Sequence, residues 1–279
     1  STNRGFLYQY IKTLVVWLRN YKDNKDDRIY CEVEDDIKEE NLMTNTVKFT
    51  QLKCYASSFS LNSDEIKKSI YNYFVLHLIY ENFDGQYVFE TNTTISKDNL
   101  LRDWVNKQCI LTKDINLHNL CVVKTKEILN EVFCKQKKSM SDALNQKIER
   151  RIIKLRDTRT DKLESELQKL YSDLNDLEEH SRKFKGKIDE EALLKEFTNR
   201  IKWKFDEVDA EDSIPFLKDE VTKLLSTMSV KENQVDLFFA RLLTEVNFKS
   251  INRDINDRYL DRELLEEILA ETDSVIISA

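Results

Sequence analysis

The chain has 279 residues with three glycines and one proline, 34% charged residues and a formal net charge of −7. Such a length accommodates one large domain or two modest ones around a substantial core, and the scarcity of Gly and Pro predicts a mostly helical chain with few tight turns. Gly5, Gly85 and Gly186 each stand alone, which argues against glycine-rich loops that cradle nucleotide phosphates, and the acidic total argues against nucleic-acid binding by bulk charge, so any basic surface must be local.

Apolar residues Phe6, Leu7, Tyr10, Ile11, Leu14, Val15 and Leu18 recur at helical spacing and predict an amphipathic helix over about 6–20 that packs on a sheet. The alternation from Ile29 to Ile37 predicts a strand, and a second follows from about Val47 to Cys54, the two forming a hairpin. Asn62 with Glu65 opens a helix that runs to about Tyr80, with His77 on its apolar stripe; after an Asp84-Gly85 turn, Gln86 to Thr91 reads as a third strand. From about Lys97 onward nearly every segment reads as helix. Leu163, Leu167, Leu170, Leu174 and Leu177 follow heptad spacing, and Lys185-Gly186-Lys187 predicts a turn, so a helical hairpin is expected around 140–205. Leu193, Leu194, Phe197, Ile201 and Phe205 continue at helical spacing, and Ser213 before Pro215 marks another helix start.

Trp17, Trp104 and Trp203 are read as core side chains in helices. Cys31, Cys54, Cys109, Cys121 and Cys134 show no CxxC or Cys/His clustering and are read as buried free thiols. No apolar run approaches the roughly 18–20 residues that cross a bilayer, and no signal-peptide pattern opens the chain, so a cytoplasmic protein with no membrane partner is expected.

The hairpin carries the chemistry. On regular strands Gln51 and Lys53 share one face, as do Glu32, Glu34 and Asp36, while Val33 and Leu52 face away. Acids, a carboxamide oxygen and an ammonium gathered on adjacent strands can hold a hard cation such as Mg²⁺ and orient a water, an arrangement suited to metal-assisted phosphodiester hydrolysis. Solvated cross-strand ion pairs use the same residue types.

Gly5-Phe6-Leu7-Tyr8-Gln9 opening the first helix, the acidic strand ending in Glu34-Asp35-Asp36-Ile37, and Gln51-Leu52-Lys53 on the next strand resemble the double-stranded-DNA endonuclease domain of bacterial anti-phage effectors. That domain occurs in CBASS effectors, Lamassu systems and antiviral STAND proteins, within the PD-(D/E)xK, restriction-endonuclease-like superfamily. The resemblance covers about residues 4–95. It implies an α+β protein: a restriction-endonuclease-like α/β core at the N-terminus, placed at 1–125, and a helical regulatory and oligomerisation domain at 126–279. It also implies that Asp36 and Gln51 bind Mg²⁺ or Mn²⁺, that Lys53 is the catalytic lysine, and that Gln9, Glu34 and Asp35 support the site. Asp35 ranks below Asp36 because it points away from it on a regular strand; a bulge would reverse the order. No Pro precedes the aspartate and the second acid is an amide, which departs from the superfamily pattern.

Eight basic residues between 135 and 156 face only Asp142 and Glu149. Lys135, Lys137, Lys138, Arg150 and Arg151 are the candidate DNA-binding residues of this run, against the alternative of a solvated helix face. The helical part offers no nucleotide sensor or P-loop. Read as a complete chain, the sequence therefore most resembles a Lamassu nuclease subunit, whose family works with an SMC-like ATPase and an accessory subunit and is released to oligomerise; read as a fragment, it favours the STAND proteins. The alternative from another class is a helical scaffold binding a partner through its heptad segment.

Overall fold

The structure is a computed structural model that describes residues 2–157 and 160–278. Its elements follow in the order α1 (Thr2–Lys22), β1 (Arg28–Val33), β2 (Asp35–Asn41), β3 (Thr46–Lys53), α2 (Asp64–Ile79), β4 (Asp84–Thr91), α3 (Asn99–Lys107), α4 (Ile115–Asp157), α5 (Asp161–Asp189), α6 (Glu191–Arg200), β5 (Ile201–Phe205), α7 (Ser213–Thr227), α8 (Val235–Ile251), β6 (Tyr259–Leu260) and α9 (Arg262–Ser278). The protein is α+β, and the strands form a six-stranded sheet in the order β5-β4-β3-β2-β1-β6. β1, β2 and β3 run antiparallel as a meander; β3, β4 and β5 run parallel; β6 adds antiparallel to β1.

Two compact units divide the chain. The first holds residues 1–66, 75–108 and 200–279, and the second holds 67–74 and 109–199. The sheet unit is therefore discontinuous, and its fifth and sixth strands come from beyond the boundary expected near residue 125. Within it α1 is buried on two sides. Its Tyr8, Ile11, Leu14, Val15, Trp17 and Leu18 share one apolar cluster with Ile29, Cys31, Ile37 and Leu52 of the sheet and with Leu217, Val221, Phe238 and Leu242 of α7 and α8. Burying each such side chain contributes about 1.5–3 kcal/mol, which pins the helix bearing Gln9 in place. β4 has buried residues at consecutive positions from Tyr87 to Thr91, as befits a central parallel strand covered on both faces.

The second unit is built on the antiparallel pair α4 and α5, whose apolar contacts include Phe184 packed against Tyr71, Phe74 and Phe133. The hairpin exists, but α5 runs unbroken through Lys185-Gly186-Lys187; α4 and α5 are connected around residues 158–159, which lie outside the described residues.

Several local expectations change. The run from Ile29 to Ile37 is two strands, because the chain reverses at Glu34, where Val33 pairs with Asp35 and Glu34 adopts φ of 65°. Asp84 and Gly85 begin β4 instead of preceding it as a turn. Ile201–Phe205 is a strand, so Trp203 sits in the sheet; Trp17, Trp104 and Trp203 are all buried. Every cysteine is free, yet only Cys31 and Cys121 are buried; Cys54 is half-buried, and Cys109 and Cys134 are exposed because they lie outside the packed faces. His77 is buried with its ring nitrogen 3.2 Å from the Tyr87 hydroxyl.

Candidate active site

The β2–β3 register pairs Ile37 with Thr50 and Lys38 with Phe49; carried one residue further, it sets Asp36 opposite Gln51. The Gln51 carboxamide donates to Asp36 Oδ2, which also accepts the Leu52 backbone N–H at 2.6 Å. From α1, Gln9 Nε2 donates to Asp36 Oδ1 at 2.6 Å. Three donors from two elements, α1 and β3, thus converge on one carboxylate, and Lys53, two residues beyond Gln51 on the same face, is near enough to lower its pKa. Burial nevertheless leaves Asp36 above the ordinary carboxylate range, against the opposing pull of Lys53, the Leu52 N–H and Gln51.

Asp35 is the second carboxyl of the site. One of its oxygens accepts the Asp36 N–H at 2.9 Å, and the other, Oδ2, is buried without a hydrogen-bond partner. Burial, reinforced by the negative charge of Asp36, pushes its pKa up to about 8. Glu32, in the position opposite Asp36 on β1, is also raised, by burial first and then by Asp36, with Arg258 opposing. Glu34 does not join this group. Because the chain reverses there, its carboxylate instead accepts the Tyr80 hydroxyl at 2.5 Å and lies 3.4 Å from Lys38. The expectation that Glu32, Glu34 and Asp36 lie along one face of one strand is corrected by that reversal.

The donors are hard oxygens, and Mg²⁺ characteristically takes one or two carboxylates, waters and substrate phosphate. Among the described residues no group of three or more His, Cys, Asp or Glu could hold a metal ion by itself. The fit instead rests on the unpartnered Asp35 Oδ2 and on two adjacent carboxyls whose ionised forms are disfavoured chiefly by burial. A divalent cation completed by water and phosphate would favour their ionised forms.

Gln9 and Lys53 line a cleft of about 470 Å³, together with Gly5, Phe6 and Tyr8 of α1 and with Leu52 and Cys54 to Ala56. Phe6 and Tyr55 are exposed aromatics on its lining. Near the Tyr8 ring lies a charge network whose partners the linear reading did not reach: the buried Lys12 ammonium donates to Glu90 and, at 3.1 Å, to Asp206, and Lys204 reaches Glu90 at 2.6 Å. Burial opposes ionisation of both Lys12 and Glu90, but their mutual attraction prevails, holding Lys12 above and Glu90 below the ordinary range. A lysine at the centre of an apolar helix stripe was the available sign of this pair.

The five candidate DNA-binding residues all lie on α4 in the second unit. Lys135 pairs with Glu131, Lys137 with Glu178 and Arg151 with Glu166. Lys147, Arg150, Arg151 and Lys154 recur at helical spacing along a groove of about 710 Å³, with Lys169 of α5 also lining it.

A family model described as Cap4, dsDNA endonuclease domain, matches residues 1–250 of the chain. No curated protein and no solved structure matches it.

Proposed function

We propose, for a chain that belongs to the Cap4 dsDNA endonuclease family, that Asp36, Gln51 and Lys53 form the centre that cuts DNA in anti-phage defence. The observation that carries this reading is the convergence of Gln9, Gln51 and the Leu52 N–H on Asp36, with Lys53 beside it. The order of first helix, three-strand meander, helix and parallel strand that presents these residues supports placing them in the PD-(D/E)xK superfamily.

In this reading Asp36 and Gln51 would hold Mg²⁺ or Mn²⁺, and the neighbouring Asp35 carboxyl, one of whose oxygens has no hydrogen-bond partner, would support the site. The metal supplies electrostatic stabilisation of the scissile phosphate. Lys53 orients the attacking water and offsets the charge that grows on phosphate oxygens as the water oxygen bonds to phosphorus and the ester P–O bond breaks. Gln9 holds Asp36 in position from α1. Glu34 acts at a distance, by fixing the turn before Asp35. The cation stripe on α4, with Lys135, Lys137 and Lys138 further along, tracks DNA phosphates and supplies the local basic surface that the net charge conceals.

The protein works in the bacterial cytoplasm as a Lamassu-type effector with an SMC-like ATPase and an accessory subunit, and it self-associates so that two centres address the two strands. Among the described residues no helix is long and apolar enough to cross a membrane. The test is plasmid cleavage in Mg²⁺ and in EDTA, by the native chain and by Lys53→Ala. The expected result is metal-dependent nicking and linearisation by the native chain and none by the variant, with unchanged thermal unfolding; cleavage by a folded Lys53→Ala protein overturns the assignment.

A further inference from the structure

We propose that Asn92 is a positioning residue that fixes Lys53 and the β3 wall of the cleft. The inference rests on the reading of Lys53 as the catalytic lysine.

The last rungs of the parallel ladder pair Lys53 with Thr91 and Thr91 with Phe205. Past this point regular pairing ends, although Cys54, Tyr55 and Ala56, just after β3, still line the cleft. Asn92, only 1% exposed, occupies the junction. Its Oδ1 accepts the Tyr55 N–H at 2.8 Å, and its Nδ2 donates to the Tyr55 carbonyl at 3.0 Å and the Val208 carbonyl at 2.9 Å. Its backbone N–H reaches the Lys53 carbonyl at 3.4 Å, and its own carbonyl accepts the Val208 N–H at 2.6 Å. One residue therefore bonds to the chain on both sides, and its carboxamide reproduces a further rung of the sheet where the backbones have separated.

Only this side chain meets the demand. The junction needs one acceptor and two donors at the end of a short arm, which is the inventory of an asparagine. Aspartate offers acceptors only and would set a carboxylate against two carbonyl oxygens. Alanine removes the side-chain partner of the Tyr55 N–H and of the Tyr55 and Val208 carbonyls, all in part-buried hydrogen bonds. Either change frees the segment after Lys53, and the ammonium loses the fixed geometry that orienting a water requires.

The test uses the full chain with Asn92→Ala, Asn92→Asp and, as a buried asparagine outside the site, Asn20→Ala. The measurements are single-site amide exchange, thermal unfolding, and kcat and KM for plasmid cleavage corrected for the folded fraction. In the native protein the Tyr55 amide should exchange slowly despite lying beyond the end of β3; fast exchange there overturns the proposal and requires no variant to fold. Both Asn92 variants should show faster exchange at residues 54–56 and a corrected kcat lower by about 100-fold with KM unchanged, whereas Asn20→Ala should lose stability alone. In a Lys53→Arg background Asn92→Ala should reduce the residual rate little further, since both act through one group. Full additivity, or native corrected kcat in Asn92→Ala, overturns it. If Lys53→Ala itself cleaves, the reading of the centre has failed, and that result is distinct from a failure confined to Asn92.

Discussion

Asp36 is surrounded by donors, whereas Asp35 keeps an oxygen with none, and this asymmetry gives the two neighbours different titration behaviour. An unfolded aspartate titrates near 3.9, while Asp35 in the folded protein titrates at about 8. Between those values the native state holds a proton that the unfolded chain has released. This contribution to stability is fully present below about pH 4 and is lost progressively as pH rises to about 8. Asp35→Asn removes the titration. In EDTA its Tm relative to the native protein should therefore increase as pH rises through that window, and Mg²⁺ should flatten the native protein's decline by stabilising the ionised pair. Parallel Tm curves for the two proteins across the window would refute this account.

At the scale of elements, α5 contains Gly186 at an exposed position where an added Cβ meets nothing within 4 Å. Glycine in a helix interior costs about 1 kcal/mol relative to alanine through backbone entropy, so Gly186→Ala should stabilise the protein by about that amount, read as a higher Tm. A lower Tm would mean that the chain turns there after all. The comparison also shows what a linear reading misses. Lys-Gly-Lys has turn composition, but nothing in it requires a positive φ, and the flanking helix continues. Glu34 is the opposite case: the chain reverses at a non-glycine residue held at φ of 65°, anchored by Tyr80 and Lys38 from distant or opposing positions, while the unbroken alternation around it reads as one strand. α1, β3, α2 and most of β4 were legible because each carries its own apolar period; Gln51 and Lys53 group through β3, whereas Asp36, expected at the end of a single strand, stands instead at the start of β2, opposite Gln51. Ile201 to Phe205 satisfies both helical and alternating spacing, and only pairing with Tyr87 to Thr91 decides for a strand. Asn92 carries no local signal, since its partners lie on segments brought near only by the completed sheet, and Lys12 shows itself only as a lysine within the apolar stripe of α1, with nothing local to name its partners.

At the scale of the molecule, the sheet unit depends on segments from both ends of the chain. The apolar stripe of α1 shares its cluster with α7 and α8, Trp17 Nε1 donates to the Asp261 carbonyl at 2.7 Å, and Gln108 bonds through its carboxamide to both the N–H and the carbonyl of Trp203. A fragment of residues 1–125 retains Asp36, Gln51 and Lys53 but loses β5, β6, α7 and α8. Exposing even four of the large α1 side chains at about 1.5–3 kcal/mol each is comparable to the 5–15 kcal/mol by which a domain is stable. The fragment also leaves Glu90 without Asp206 and Lys204 in its charge network. It should therefore lack a cooperative thermal transition by circular dichroism, show rapid amide exchange throughout, and fail to cleave plasmid, while the full chain unfolds cooperatively. A folded, cleaving 1–125 fragment would show that the C-terminal helices are appended to the catalytic core instead of forming part of it.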